Sequence, residues 1–108
     1  GRPRVLFCTH LDTVPPFVPP RVERGVVHGR GACDAKGQAL AMAEAVETLL
    51  AEGRRDVGVL LTVGEEVDGA GARAARDALA AGRLCDGVPP AFTVLGEPTD
   101  NRFVRAHK

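Results

Sequence analysis

The sequence predicts an α/β fold, a mostly parallel sheet between helices in a three-layer αβα arrangement. Three observations lead there. Short, nearly continuous apolar runs rich in strand formers occur at residues 4–10, 57–63 and 91–95. Segments with helical periodicity separate them, as crossover units joining parallel strands require. Strands apolar on both faces suit a sheet covered on both sides.

Arg4 to His10 reads as a buried strand. Leu11 to Pro20 contains Pro15-Pro16 and Pro19-Pro20, which forbid regular structure and predict a stiff loop. Arg21 to His28 has room for a short strand or hairpin arm, and Gly29-Arg30-Gly31 for a turn. From Ala35 to Glu52 the pattern is helical, with Leu40, Ala43, Val46 and Leu50 forming one apolar stripe. Asp34 is placed to cap its start and Gly53 to end it. Val57 to Val63 is the second strand, Ala70 to Ala81 an alanine-rich helix stopped by Gly82, and Ala91 to Leu95 the third strand. Asn101 to Ala106 reads as the start of a fourth.

With 44% hydrophobic but only 4% aromatic residues, the core is built from Val, Leu and Ala and is thin for 108 residues. Fourteen basic and 14 acidic residues cancel, so nothing attracts nucleic acid or an anionic membrane in general. No apolar run approaches the roughly 20 residues needed to span a bilayer, and no charged-then-apolar leader is visible. Cys8, Cys33 and Cys85 are odd in number and form no CxxC pair, which argues against a disulfide framework and for a reducing cytoplasm. The chain begins at Gly1, has Met42 as its only Met, and stops at Ala106-His107-Lys108 without a closing element. It reads as a single partial domain cut from a longer protein.

The ionisable residues fall where the strands end. His10, followed by Leu11-Asp12, closes the first strand; Gly64-Glu65-Glu66 follows the second; Gly96-Glu97 follows the third; Asp34 opens the long helix. Open parallel sheets bind ligands outside the carboxyl ends of their strands. One imidazole and several carboxylates gathered there suit zinc. Without a cation, so many carboxylates repel one another. Singly, each residue is better explained as a surface His, a helix cap or a solvated Glu; at three successive strand ends and a helix start, those explanations together become improbable.

Other stretches carry less. Gly29-x-Gly31 matches the start of a dinucleotide fingerprint, but position 34 is Asp rather than Gly. Cys8 and His10 share a face of an extended strand, yet nothing else builds a thiol site, so Cys8 reads as a small core residue. Cys33, beside Asp34, is not counted as a ligand. Arg73, Arg76 and Asp77 read as a solvated helix face.

Three stretches, Thr9-His10-Leu11-Asp12-Thr13-Val14-Pro15, Gly29-Arg30-Gly31-Ala32-Cys33-Asp34-Ala35-Lys36-Gly37 and Gly64-Glu65-Glu66, followed by Gly96-Glu97-Pro98-Thr99, resemble the two-zinc amidohydrolases that include acetylornithine deacetylase, succinyl-diaminopimelate desuccinylase, aminoacylase and glutamate carboxypeptidase. The resemblance spans nearly the whole chain and lies nearest acetylornithine deacetylase. It implies part of the catalytic domain of a zinc-dependent exopeptidase-like fold. His10 then resembles the ligand of a first zinc, Asp34 the carboxylate bridging two zincs, Glu97 the remaining ligand of the first, and Glu66 a ligand of the second. Glu65 resembles the general base and Asp12 the partner that orients the His10 ring; these two make up the implied catalytic pair. Adjacent Glu65 and Glu66 are expected to diverge, one to metal and one to the proton.

The implied reaction is hydrolysis of an amide bond of an N-acyl amino acid, by water activated between two Zn2+ ions (Co2+ as a substitute), in amino-acid biosynthesis. A metallo-dipeptidase or carboxypeptidase acting on a small peptide is the alternative within the family. A non-catalytic metal-binding or interaction module is the alternative outside it, and an intact Glu65 argues against that. The family's second histidine, which His28 and His107 do not match, and its dimerisation and lid domain lie outside these residues. The segment alone is therefore expected to be inactive and the intact protein to be a homodimer.

Overall fold

The computed structural model describes residues 1–104. Its elements run β1 (Val5–His10), β2 (Arg21–Glu23), β3 (Val26–His28), α1 (Lys36–Ala51), β4 (Val57–Thr62), α2 (Ala70–Ala80), a one-turn 3-10 segment (Cys85–Gly87) and β5 (Phe92–Leu95). The three expected apolar strands and both helices are present, with ends within two residues of those the sequence predicts.

β1 lies at the centre of a three-stranded sheet ordered β4-β1-β5, parallel to both neighbours. Val5 pairs with Val57 and Phe92, and Cys8 with Leu60 and Leu95. The chain crosses from β1 to β4 in one direction and from β4 past β1 to β5 in the other. Right-handed crossovers in opposite directions put their helices on opposite faces, which gives the three layers. α1 packs against β1 and β4, and α2 against β4 and the 3-10 turn. All three strands end at the same edge of the sheet.

Arg21 to His28 forms a separate antiparallel hairpin, Arg21 opposite His28. Its two-residue loop is Arg24-Gly25, both at positive φ, as the tight turn matching strand twist demands. Both long helices close alike. Arg54 N–H reaches Leu49 O and Gly53 N–H reaches Leu50 O; Arg83 N–H reaches Ala78 O and Gly82 N–H reaches Leu79 O. Gly53 and Gly82 lie at positive φ, so each helix ends in a Schellman motif.

Three expectations need correction. Of the expected stripe Leu40, Ala43, Val46 and Leu50, only Val46 turns inward: Leu40 is 62% exposed and Leu50 39%. The sheet side is Ala35, Ala39, Met42, Val46 and Leu49. This helix is apolar around most of its circumference, so the sequence holds two stripes of equal spacing; the one opening on Ala35 and Ala39 lets the helix start close to β1. Second, Asp34 is not the helix cap. Ala35 takes that position with no side-chain bond to the helix, because the Asp34 carboxylate is engaged elsewhere. Third, no strand forms over residues 101–104, where Asp100 and Asn101 turn at positive φ and Thr99 Oγ1 donates to Arg102 O. The rest of that expected strand, and His107, lie outside the described residues.

The core is thin, as the composition implies. Its buried apolar residues are Leu6, Ala35, Ala39, Val46 and Cys85, and α2 buries none. An apolar cavity of about 200 Å3 remains between α2 and the sheet, lined by Leu6, Cys8, Leu60, Leu79, Cys85 and Thr93. Among the described residues no helix is long and apolar enough to cross a membrane.

Candidate metal centre

Among the described residues the largest fully buried side chain is a polar one, His10, at 2% exposure. It ends the central strand, so whatever surrounds it comes from the loops that follow β1, β4 and β5 and from the start of α1. One ring nitrogen faces each way. Nδ1–H donates to the carbonyl oxygen of Asp12 at 3.0 Å. Nε2–H donates to Asp34 Oδ1, also at 3.0 Å. A carbonyl and a carboxylate only accept, so each ring nitrogen faces an acceptor and the surroundings favour the doubly protonated ring. Burial pushes its pKa down, but the Asp34 bond, the Asp12 carbonyl and the charges of Asp34 and Glu65 outweigh that and hold it above its ordinary value. Loss of one proton frees Nε2 for a metal while Nδ1–H stays on Asp12, the usual arrangement of a metal-binding imidazole.

Glu97 follows β5. Partial loss of solvent and the neighbouring Asp34 charge raise its pKa, the cation of His10 opposes them, and Glu65 and Glu66 add to the rise. Close carboxylates with too little positive charge between them produce this pattern, and a divalent cation removes it. Two sets of side chains bring ligand atoms within 4.8 Å of one another: His10 with Asp34 and Glu97, and His10 with Glu65 and Glu66. Their donor chemistry, imidazole and carboxylate, fits zinc.

Every site residue singled out in the sequence therefore comes to one edge, with two differences in arrangement. Glu65 and Glu66 do not diverge; each places an oxygen near the other and near His10. Alternation belongs to extended chain, whereas residues 65–68 form a turn. And the ring nitrogen of His10 is held by the Asp12 carbonyl, the Asp12 carboxylate oxygen being 3.5 Å away. That carboxylate accepts instead from the main-chain N–H of Glu65 at 3.3 Å and of Glu66 at 3.1 Å. Some desolvation raises its pKa, but these amides and the His10 charge hold it below the ordinary carboxylate value.

Supporting residues to which the sequence reading gave no role complete the edge. Thr9 Oγ1, buried, donates to Gly96 O at 2.8 Å and fixes the start of the Glu97 loop to β1. Lys36 Nζ donates to Leu11 O at 2.9 Å, tying the first residue of α1 to the loop after His10. Two glycines mark close approaches, the first against backbone that cannot move aside and the second against the flexible end of a methionine. A Cβ on Gly71 would lie 2.4 Å from Val63 O, where the start of α2 closes against the end of β4. One on Gly96 would lie 2.8 Å from Met42 Cε on α1. A threonine ending an apolar strand was the available signal for Thr9; nothing local marks Lys36.

Cys8 makes no thiol site: burial, then the Glu97 charge, pushes its thiol up, away from a nucleophilic thiolate. Cys33 is exposed and belongs to neither ligand group. Arg73 pairs with Asp68 and Arg76 with Asp77 on the exposed side of α2.

Comparison with known proteins gives the family. Residues 6–105 match the family model described as peptidase family M20/M25/M40. The chain is 37% identical over 108 residues to a peptidase M20 domain-containing protein of Schizosaccharomyces pombe, covering 97% of this chain and 25% of that one. It is 38% identical over 117 residues to a probable carboxypeptidase of Aspergillus niger, covering 100% of this chain and 27% of that one. A probable carboxypeptidase of Emericella nidulans is 37% identical over 124 residues, with 100% and 28% covered. No solved structure matches. The chain belongs to the M20/M25/M40 peptidase family, a generally metal-dependent one, and spans about a quarter of the length of the curated relatives it matches.

Proposed function

We propose that the protein containing these residues is a zinc-dependent hydrolase that cleaves the amide bond next to a free amino acid. The observation that carries this reading is the convergence of His10, Asp34, Glu65, Glu66 and Glu97 at the carboxyl edge of one parallel sheet. Two Zn2+ ions are proposed, with Co2+ as a substitute. His10, Asp34 and Glu97 would hold the first, and Glu66 with the shared Asp34 would hold the second, completed by a histidine from outside these residues. Bound there, the ions supply a Lewis acid for the carbonyl and lower the pKa of water. Asp12 keeps the His10 ring in the tautomer that presents Nε2. Glu65 takes the proton from the attacking water and passes it to the leaving amine.

Peptide substrates lead, because relatives of similar identity bear the name probable carboxypeptidase. Deacylation of N-acyl amino acids, on the pattern of acetylornithine deacetylase, is the second reading and is favoured by the same four motifs. The chemistry is common to both; only the group on the acyl side differs. A cytoplasmic homodimer with a separate lid domain completes the proposal. The test is hydrolysis by the full-length protein of a panel of dipeptides, longer peptides with a free carboxyl terminus, and N-acetyl and N-succinyl amino acids. Activity on at least one class, lost to a chelator and restored by zinc or cobalt, is expected. Activity indifferent to chelation refutes the metal mechanism. Residues 1–108 alone are expected to turn over none of these substrates.

A further inference from the structure

Asp12 serves two different parts of the site with two different groups. Its carbonyl oxygen takes the His10 Nδ1–H at 3.0 Å. Its carboxylate spans a gap of 53 and 54 residues in sequence: Oδ1 accepts from Glu65 N–H and Oδ2 from Glu66 N–H. Each carboxylate oxygen thus has its own amide, while Oδ1 lies 3.5 Å from His10 Nδ1, a longer contact than the ring's 3.0 Å bond to the Asp12 carbonyl.

The turn that carries the glutamates is otherwise bonded to itself, to the end of β4 and, through Asp68, to Ala70 N–H and Arg73 of α2. Asp68 and Gly69 N–H both return to Gly64 O, and Gly71 N–H reaches Val63 O. These bonds close the turn but do not use the amides of Glu65 and Glu66. Two adjacent N–H groups presented to one carboxylate form charge-assisted bonds, stronger than neutral ones. They also explain how another anion is accommodated in a site already rich in carboxylates.

We propose that the Asp12 carboxylate is a positioning residue for the Glu65–Glu66 turn, fixing the main chain of both glutamates and linking them to the strand end that carries His10. This rests on the reading of that pair as base and metal ligand, and it assigns the ring to the main chain of Asp12 and the turn to its side chain. Removing the carboxylate therefore loosens the glutamates without releasing the imidazole. An aspartate that only oriented the ring would do the opposite.

The test uses the full-length protein with Asp12→Ala and Asp12→Asn. In the metal-free state, Asp12→Ala is expected to speed hydrogen exchange at the Glu65 and Glu66 amides by ~10-fold or more, leaving β1 and β4 protected. Asparagine has one accepting oxygen and turns its NH2 toward the other amide, so Asp12→Asn is expected to lose protection at one of the two. In the zinc-loaded protein, ring 15N shifts are expected to keep His10 as the Nδ1–H tautomer in both variants. Affinity for the more weakly held zinc is expected to fall by roughly 10–100-fold, the usual effect of removing a group that orients ligands. Unchanged exchange at both amides overturns the proposal, as does exchange raised equally throughout the domain or a switched His10 tautomer. Should Asp12→Ala not fold, the one-amide asymmetry of Asp12→Asn decides. The exchange measurement needs no metal. Wild-type protein that binds no zinc would sink the metal reading and leave the anchor standing; zinc binding with both amides indifferent to Asp12 would do the reverse.

Discussion

All four carboxylates belong to segments flanking elements packed on the central strand, but Glu97 stands two residues beyond β5 and Asp34 two before α1, whereas Glu65 and Glu66 lie three and four residues beyond β4, inside a turn. Glu97 follows β5, paired to β1 and pinned by Thr9 to Gly96; Asp34 precedes α1, which Lys36 ties to the loop after His10. The turn over residues 65–68 has no ladder of its own and is reached by the Asp12 carboxylate. His10 belongs to both halves. The difference teaches that ligands at the ends of regular elements inherit their positions from the sheet, while ligands on a turn require an anchor.

The largest expected effect falls on the first of the two proposed zincs. His10→Ala takes away one of its ligands, so the full-length variant should lose that metal, keep the second more nearly intact, and fall to background activity. Metal analysis after dialysis checks it. Undiminished zinc content would remove His10 from the ligand set.

Within the turn, the comparison sharpens to a single pair. Glu65→Gln should keep its zinc and lower kcat by roughly 10²–10⁴-fold, the range for losing a general acid–base. Glu66→Gln should instead weaken one zinc, since a neutral amide compensates metal charge poorly, and added zinc should restore part of its activity. Kinetics over a zinc titration distinguish the two; the reverse pattern exchanges their roles.

The sheet-anchored half governs the pH dependence. His10 titrates above its ordinary pKa, so its contribution to metal-free stability is full below the unfolded value and lost as pH rises through the folded one. Glu97 is also raised, so ionising it costs the folded state stability in the same direction. Metal binding needs both groups deprotonated. The rise in melting temperature conferred by zinc should therefore keep growing as pH passes the ordinary histidine pKa, because His10 gives up its second proton only above it. A constant rise would show that neither group competes with the metal. Asp12 runs the other way: its contribution is present above the ordinary carboxylate pKa and lost as pH falls through its depressed value.

The smallest effect belongs to the support of Glu97. Thr9→Val keeps the shape of a buried side chain but removes its bond to Gly96 O. A loss of about 1–2 kcal/mol is expected, covering the bond and the carbonyl left without it. A shifted denaturation midpoint at unchanged slope is the readout, with zinc content preserved.

The sequence makes much of this legible because strand ends are legible. Apolar runs locate β1, β4 and β5, and the residue after each run is the one that reaches the site. His10, Glu65, Glu66 and Glu97 are found that way. What resists reading depends on partners distant in sequence. Helix α1 offers two equivalent stripes, and only the sheet chooses between them. Asp34 has the right type and place for a cap, yet the ring of His10 engages it. Asp12 and His10 share a face by alternation, but the carboxylate bonds to amides more than fifty residues away, which no local pattern encodes. Divergence of Glu65 and Glu66 follows from extended geometry and disappears in a turn.

The central claim is that these six residues form a two-metal centre, and the anomalous scattering of zinc in crystals of the full-length protein tests it most directly. Two peaks are predicted about 3.5 Å apart, the spacing of two-metal sites, one beside His10, Asp34 and Glu97 and the other beside Glu66, with Glu65 free of both. No peak at this edge of the sheet after zinc reconstitution would contradict the account.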